Sequence, residues 1–344
     1  MAHVSDGQSR WPVTMASHDR LPARGRGHSR PQATSVVVMG LLRWDERPEL
    51  RRPALVAGFE GWNDAGNSAS GAVAYLSKAW GAKKFASFDS EDLWDYTQSR
   101  PQVRLESGKT RRLEWPQLEL AWARLPGRGQ DVVLLSGPEP EMRWRSLSRE
   151  LAEAAGELGV RTALLLGALL ADVPHTRPVR VTGGAGDPEL ATLASVEPSF
   201  YEGPTGIVGV VSDAFARAGV PTVSLWASVP HYVSQSSSPK ATLALVQRSA
   251  RVLGVEVDIA ELQIAAAAYE RQIDDLVASD EDAVAYVHRL EAQDEEAQQE
   301  GTEGDGAHER EGRSAGEGPT LSPASGERLA AEVERYLREH RPEG

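Results

Sequence analysis

Between residues 53 and 230 the chain alternates two kinds of apolar pattern. In the runs PALVAGF, QLELAWARL, DVVLLSG, RTALLLGALL and PTVSLWASV, apolar residues sit at consecutive positions. That pattern predicts strands buried on both faces, because a strand with one face in water alternates apolar with polar. Between these runs, apolar residues recur every third or fourth position. In TGIVGVVSDAFARAG the stripe is Ile207, Val208, Val211, Phe215 and Ala218, with Thr205 as N-cap and Gly219 past the end. In PEMRWRSLSRELAEAAGELGV it is Leu147, Leu151, Ala154 and Leu158, stopped by Gly159. Each spacing gathers apolar side chains on one helix face. Strand, helix and strand repeated in this way predict an α/β fold, a three-layer sandwich around a largely parallel sheet.

The α/β pattern defines a core domain over 36–257, after which only helical periodicity remains. Leu262, Ala266, Tyr269, Ile273 and Leu276 step by four and three, and beyond a cap at Ser279 or Asp280 the stripe resumes at Ala283, Val287 and Leu290. This predicts a helical hairpin over 258–292. Two placements are open: against its own domain, or as a coiled-coil-like face toward a partner. The shortness of the two apolar runs favours the first. Residues 293–325 read as a disordered acidic linker, and GERLAAEVERYLREH predicts a C-terminal helix over 326–340 with Leu329, Val333 and Leu337 on one face. Residues 1–35 carry arginines but no apolar run, so they read as a disordered basic extension rather than a secretory signal.

Composition narrows the chemistry. Cysteine is absent, which excludes disulfides, thiolate metal ligands and a cysteine nucleophile, and fits a cytoplasmic location. No apolar stretch reaches the roughly 18 residues of a membrane span. The net charge is −13 and no basic face is concentrated, so nucleic-acid binding lacks electrostatic support.

In a parallel α/β sheet, ligands bind beyond the carboxyl ends of the strands. Loops at that end supply Glu60, Trp62, Asn63 and Asp64 after the first run, Glu139, Arg143 and Trp144 after the third, Asp172, His175 and Arg177 after the fourth, and His231, Tyr232 and Lys240 after the fifth. They are the expected ligand- or partner-binding residues. Gly61 and Gly66 have the spacing of a phosphate loop, but Asn67 stands where the lysine belongs and Glu60 and Asp64 would repel a triphosphate. The glycines therefore read as a tight turn that lets the next helix pack on the strand. Ser237 and Lys240 match S-x-x-K without the companion motifs, and Ser238 with Pro239 reads as N-cap and first helical residue. Asp172, His175 and His231 lack the spacing of a metal site, so no metal and no cofactor is expected. If the protein were an enzyme, Asp172 and His175 would be its acid/base pair.

Five segments together, GFEGWNDAGNSASGAVAYL, MRWRSLSREL, LGALLADVPHTRPVRVTG, YEGPTGIVGVVSDAFARAGVP and WASVPHYVSQSSSPKATLALV, resemble the bacterial branch of the proteasome assembly chaperone 2 family, as found in actinobacteria. The resemblance spans about residues 50–290 and implies a phosphorylase/hydrolase-like α/β sandwich, self-association into a homo-oligomer with a trimer as one size, and proteasome subunits as partners. It brings no catalytic residue. The implied function is that of a non-enzymatic, chaperone-like protein acting through protein–protein contacts, with an uncharacterised hydrolase or phosphorylase-like enzyme as the alternative. One departure is visible: some archaeal relatives engage the proteasome core through a C-terminal hydrophobic-Tyr-any tail, whereas this chain ends HRPEG, with Tyr336 eight residues from the end.

Overall fold

All five apolar runs form strands. In chain order the strands are β1 (Leu42–Trp44), β2 (Ala54–Glu60), β3 (Lys83–Phe88), β4 (Gln102–Glu106), β5 (Thr110–Glu114), β6 (Leu118–Arg124), β7 (Asp131–Pro138), β8 (Thr162–Ala171), β9 (Val181–Ala185) and β10 (Thr222–Pro230). The helices are α1 (Ser68–Trp80), α2 (Trp144–Leu158), α3 (Pro188–Ala194), α4 (Ile207–Arg217), α5 (Pro239–Leu253), α6 (Ala260–Ala278) and α7 (Glu281–Glu303). The computed structural model describes residues 40–303 except 90, 107–109, 128, 197–201 and 235. The expected extension over 1–35 and the expected helix over 326–340 lie outside the described residues.

Eight strands form one sheet in the order β1-β3-β6-β7-β2-β8-β10-β9. Its centre, β7-β2-β8-β10, is parallel. The flanks add antiparallel strands on both sides, β6, β3 and β1 beyond β7 and β9 beyond β10. Alternate residues of each central strand enter opposite cores. Ala54 and Val56 pack with α1, α3, α5, α6 and α7, whereas Leu55, Ala57 and Phe59 pack with α2 and α4. A residue here is buried whichever way it points, and each large apolar side chain so placed contributes about 1.5 to 3 kcal/mol. This double burial is why the central strands read as unbroken apolar runs.

Close backbone approach explains two of the glycines. A Cβ at Gly58 would lie 2.6 Å from the Ala69 carbonyl oxygen, so β2 and α1 touch backbone to backbone. Gly66 has φ +60° and a Cβ there would meet Ser238 Cβ at 2.9 Å. The turn between β2 and α1 is thereby pressed against the start of α5, and the Ser238 N–H donates to the Gly66 carbonyl at 2.7 Å.

Several local expectations are corrected. The N-cap of α4 is Gly206, not Thr205, and a glycine has no side chain to cap with. The distant Glu139 carboxylate instead accepts from the Ile207 N–H at 2.9 Å. Ala218 at the other end of that stripe is exposed, because the helix ends at Arg217. In α6 the buried face includes Val277, while Leu276 is half-buried. In α7 Tyr286 joins Ala283, Val287 and Leu290 in the core. Ser279 closes α6, and Asp280 caps α7 by accepting from the Asp282 N–H at 2.9 Å and the Ala283 N–H at 3.3 Å. The linker expected from residue 293 begins as helix, since α7 continues to Glu303. The pair β4 and β5 forms a separate two-stranded ribbon that leaves Val103, Leu105 and Leu113 exposed. Among the described residues no helix is long and apolar enough to cross a membrane.

Candidate functional site

The loops at the carboxyl ends of β2, β7, β8 and β10 divide the expected site residues between two places. In the first, Asn63 and Asp64 leave β2 and run beside the end of β8, where the Ala168 N–H donates to the Asn63 carbonyl at 2.8 Å. Asn63 Nδ2 donates to Glu139 Oε1 at 2.9 Å, and that same oxygen caps α4. Asp64 faces the N-terminus of α1. Its Oδ1 accepts from the Ala69 N–H at 2.6 Å and the Ser70 N–H at 3.2 Å, and its Oδ2 accepts from the Ser70 hydroxyl. Burial pushes the Asp64 carboxyl up, and these donors act against that shift. Glu60 at the loop's rim is also pushed up, by burial and then by the charge of Asp64. Asn63, Asp64 and Glu139 thus tie helix starts to strand ends.

Arg143 and Trp144 are spent on the same junction. Arg143 pairs with Asp92, and Trp144 Nε1 donates to the Pro140 carbonyl. Trp62 is 71% exposed, with Met142 after β7 and Leu169 and Leu170 at the end of β8 also exposed. Since β7, β2 and β8 are adjacent and parallel, these apolar side chains rim one end of the sheet.

The second place is a buried polar network. His175 follows β8 and is 3% exposed; its backbone N–H donates to Tyr232 Oη at 2.8 Å. The Tyr232 hydroxyl stands 2.7 Å from His175 Nδ1, and His175 Nε2 stands 3.0 Å from Asp274 Oδ1 in α6. With its oxygen accepting from the backbone, Tyr232 donates its proton to Nδ1, so Nε2 carries the ring hydrogen and gives it to Asp274. Burial pulls the imidazole down despite the nearby Asp274, which favours this neutral ring. Lys240 in α5 donates to the His175 carbonyl at 2.5 Å and pairs with Glu270 of α6 at 2.6 Å. Ser238 caps α5 by accepting from the Ala241 N–H, and Ser237 accepts from Asn67 Nδ2.

Asp172 does not join His175. It stands 3.0 Å from His231 Nδ1 and also meets the Tyr286 hydroxyl, which burial and the Asp172 charge push up to about 12. His231, Tyr232 and Tyr286 pack edge to face with centroids 5.8 to 5.9 Å apart, fastening α7 to the end of β10. Farther along α7, Glu291 accepts from the Thr176 hydroxyl, Glu295 pairs with Arg177, and Asp294 pairs with Arg180 at 2.9 Å. The two histidines thus have different neighbours, and both ring nitrogens of His175 are hydrogen-bonded. Among the described residues no three His, Asp or Glu side chains gather as a metal-binding set.

Sequence reasoning missed Glu270, Asp274 and Tyr286, because the hairpin was read for its apolar stripe alone. The available indication was Glu270 and Asp274, four apart and each adjacent to a stripe residue, Tyr269 or Ile273.

A family model described as PAC2 family matches residues 58–277. A crystal structure of a PAC2 family protein from Streptomyces avermitilis is similar at 49% identity and a TM-score of 0.64, covering 68% of this chain and 99% of that one. That of a proteasome-assembly chaperone homologue from Mycobacterium tuberculosis is similar at 47% identity and 0.63, with the same coverage. An archaeal proteasome activator from Pyrococcus furiosus, at 19% identity and a TM-score of 0.56, covers 68% of this chain and 97% of its own and shares the fold. No curated protein sequence matches.

Proposed function

The chain belongs to the PAC2 family, and from that premise we propose that it is a cytoplasmic, chaperone-like protein, non-enzymatic and homo-oligomeric, that acts through protein–protein contacts with proteasome subunits as its partner class. The observation that carries this reading is the exposed apolar rim of Trp62, Met142, Leu169 and Leu170. An enzyme of this architecture places reactive groups at that end of the sheet. Here Asn63, Asp64, Glu139 and His175 are hydrogen-bonded within the fold, and large apolar side chains face outward. Exposed aromatic and aliphatic anchors of this kind are what protein interfaces use. The uncovered apolar face of the β4–β5 ribbon supports self-association, since an isolated two-stranded ribbon is marginal in water.

The test is co-purification from native lysate with the mass of each retained chain determined. Full-length protein should retain proteasome subunits. Trp62→Asp combined with Leu170→Asp should lose them while keeping the same unfolding midpoint, because both side chains are exposed. Undiminished retention by the variant, or recovery of the wild type without any proteasome subunit, would overturn the reading.

A further inference from the structure

Beneath the distal half of α7 lies a cavity of about 270 Å³, enclosed by the loop after β8, the end of β10, α5 and α6. Its apolar wall is built from Val173, Pro174, Pro178, Val179 and Pro230, and Arg177, Arg180 and Lys240 reach its lining alongside a single carboxylate, Asp294. Each of the three cations has a carboxylate partner, two of them on α7. Arg177 nevertheless keeps a buried Nε–H with no acceptor among the described residues. Buried guanidinium donors are seldom left without an acceptor, because desolvating one unpaired is costly. The volume is close to the lower end of small-molecule pockets, about 300 Å³.

α7 makes an uneven cover. Ala283, Tyr286, Val287 and Leu290 anchor its first half in the core. From Glu291 to Glu295 its attachment to the loop after β8 is polar, through Thr176, Arg177 and Arg180. Partly exposed ion pairs are individually weak, so this half can be displaced by a better anion without unfolding the anchored half.

We propose that this cavity is a binding site for a small organic anion, one carboxylate or phosphate group on a compact apolar body, received by Arg177, Arg180 and Lys240, with Asp294 of α7 as the built-in competitor for Arg180. The site is independent of the partner contacts assigned above, since the exposed rim does not line it.

Calorimetric titration of the full chain at low, NaCl-matched ionic strength tests this with three probes: inorganic phosphate, benzoate and the neutral benzyl alcohol. At least one anion should bind saturably and the alcohol should not; phosphate alone, or benzoate alone, then decides the headgroup. Arg177→Gln should weaken the binding anion about tenfold or more, as expected for a lost charge-assisted hydrogen bond. Asp294→Asn should tighten it severalfold, a gain that a folding defect cannot imitate. Absence of saturable binding by either anion, equal binding of the alcohol, or unchanged affinity in both variants overturns the proposal.

Discussion

His175 is held by residues far from it in sequence: Tyr232 on one ring nitrogen, Asp274 on the other, and Lys240 on its carbonyl. The consequence is a pH dependence with a definite sign. Burial lowers the imidazole in the folded state below the ordinary histidine value of about 6.5. In the interval between the two values the unfolded chain takes a proton that the folded chain refuses, so the contribution is whole above that interval and is lost as pH falls through it. Asp64 and Glu60, both pushed up, act in the opposite sense. The unfolding midpoint of the wild type should therefore drop as pH falls through about 6.5, and drop less in His175→Gln. Parallel curves for the two proteins would show that another group titrates. At this scale the sequence offered polar loop residues such as Asp172, His175 and Tyr232, and not whom they meet. Asp172 and His175 are three apart, yet one turns to His231 and Tyr286 and the other to Tyr232 and Asp274.

Elements were legible where burial is periodic. The stripes of α2 and α4 and the central strands could be read directly, because each residue's face follows from geometry that the chain carries locally. β1, β3, β4, β5 and β9 escaped notice, being short and, apart from β1, rich in Lys, in Arg and Glu, or in glycine. β9 is held as an edge by the register of β10, where a Cβ at Gly183 would fall 1.9 Å from the Ser224 carbonyl oxygen. The hairpin helices permit a test of face assignment. Ile273 is fully buried between α6 and the core, whereas Leu276 is half-buried. Ile273→Ala should cost about 2 to 5 kcal/mol in denaturant unfolding, and Leu276→Ala no more than about half of that. Equal losses would mean that α6 is rotated from the orientation described.

At the scale of the whole molecule, a single chain covers both faces of its large sheet with helices and still leaves the ribbon and the sheet-end rim bare. The homo-oligomer proposed above should appear in light scattering as an integer multiple of the chain mass, three chains for a trimer. Leu105→Asp with Leu113→Asp should shift it toward one chain if the ribbon face lies between copies; a wild type of single-chain mass would refute self-association. The sequence by itself determined the α/β class, the five core strands, the helical hairpin and the loops that crowd the sheet's carboxyl end, because alternating and helical burial leave their period in the order of residues. Only the tertiary structure decided that Glu139 caps α4, that Asp274 rather than Asp172 serves His175, and that α7 closes over a cationic cavity. Those pairings join residues 68 to 118 positions apart. Hydrogen bonds at such separation are set by how layers dock, and no local periodicity records it.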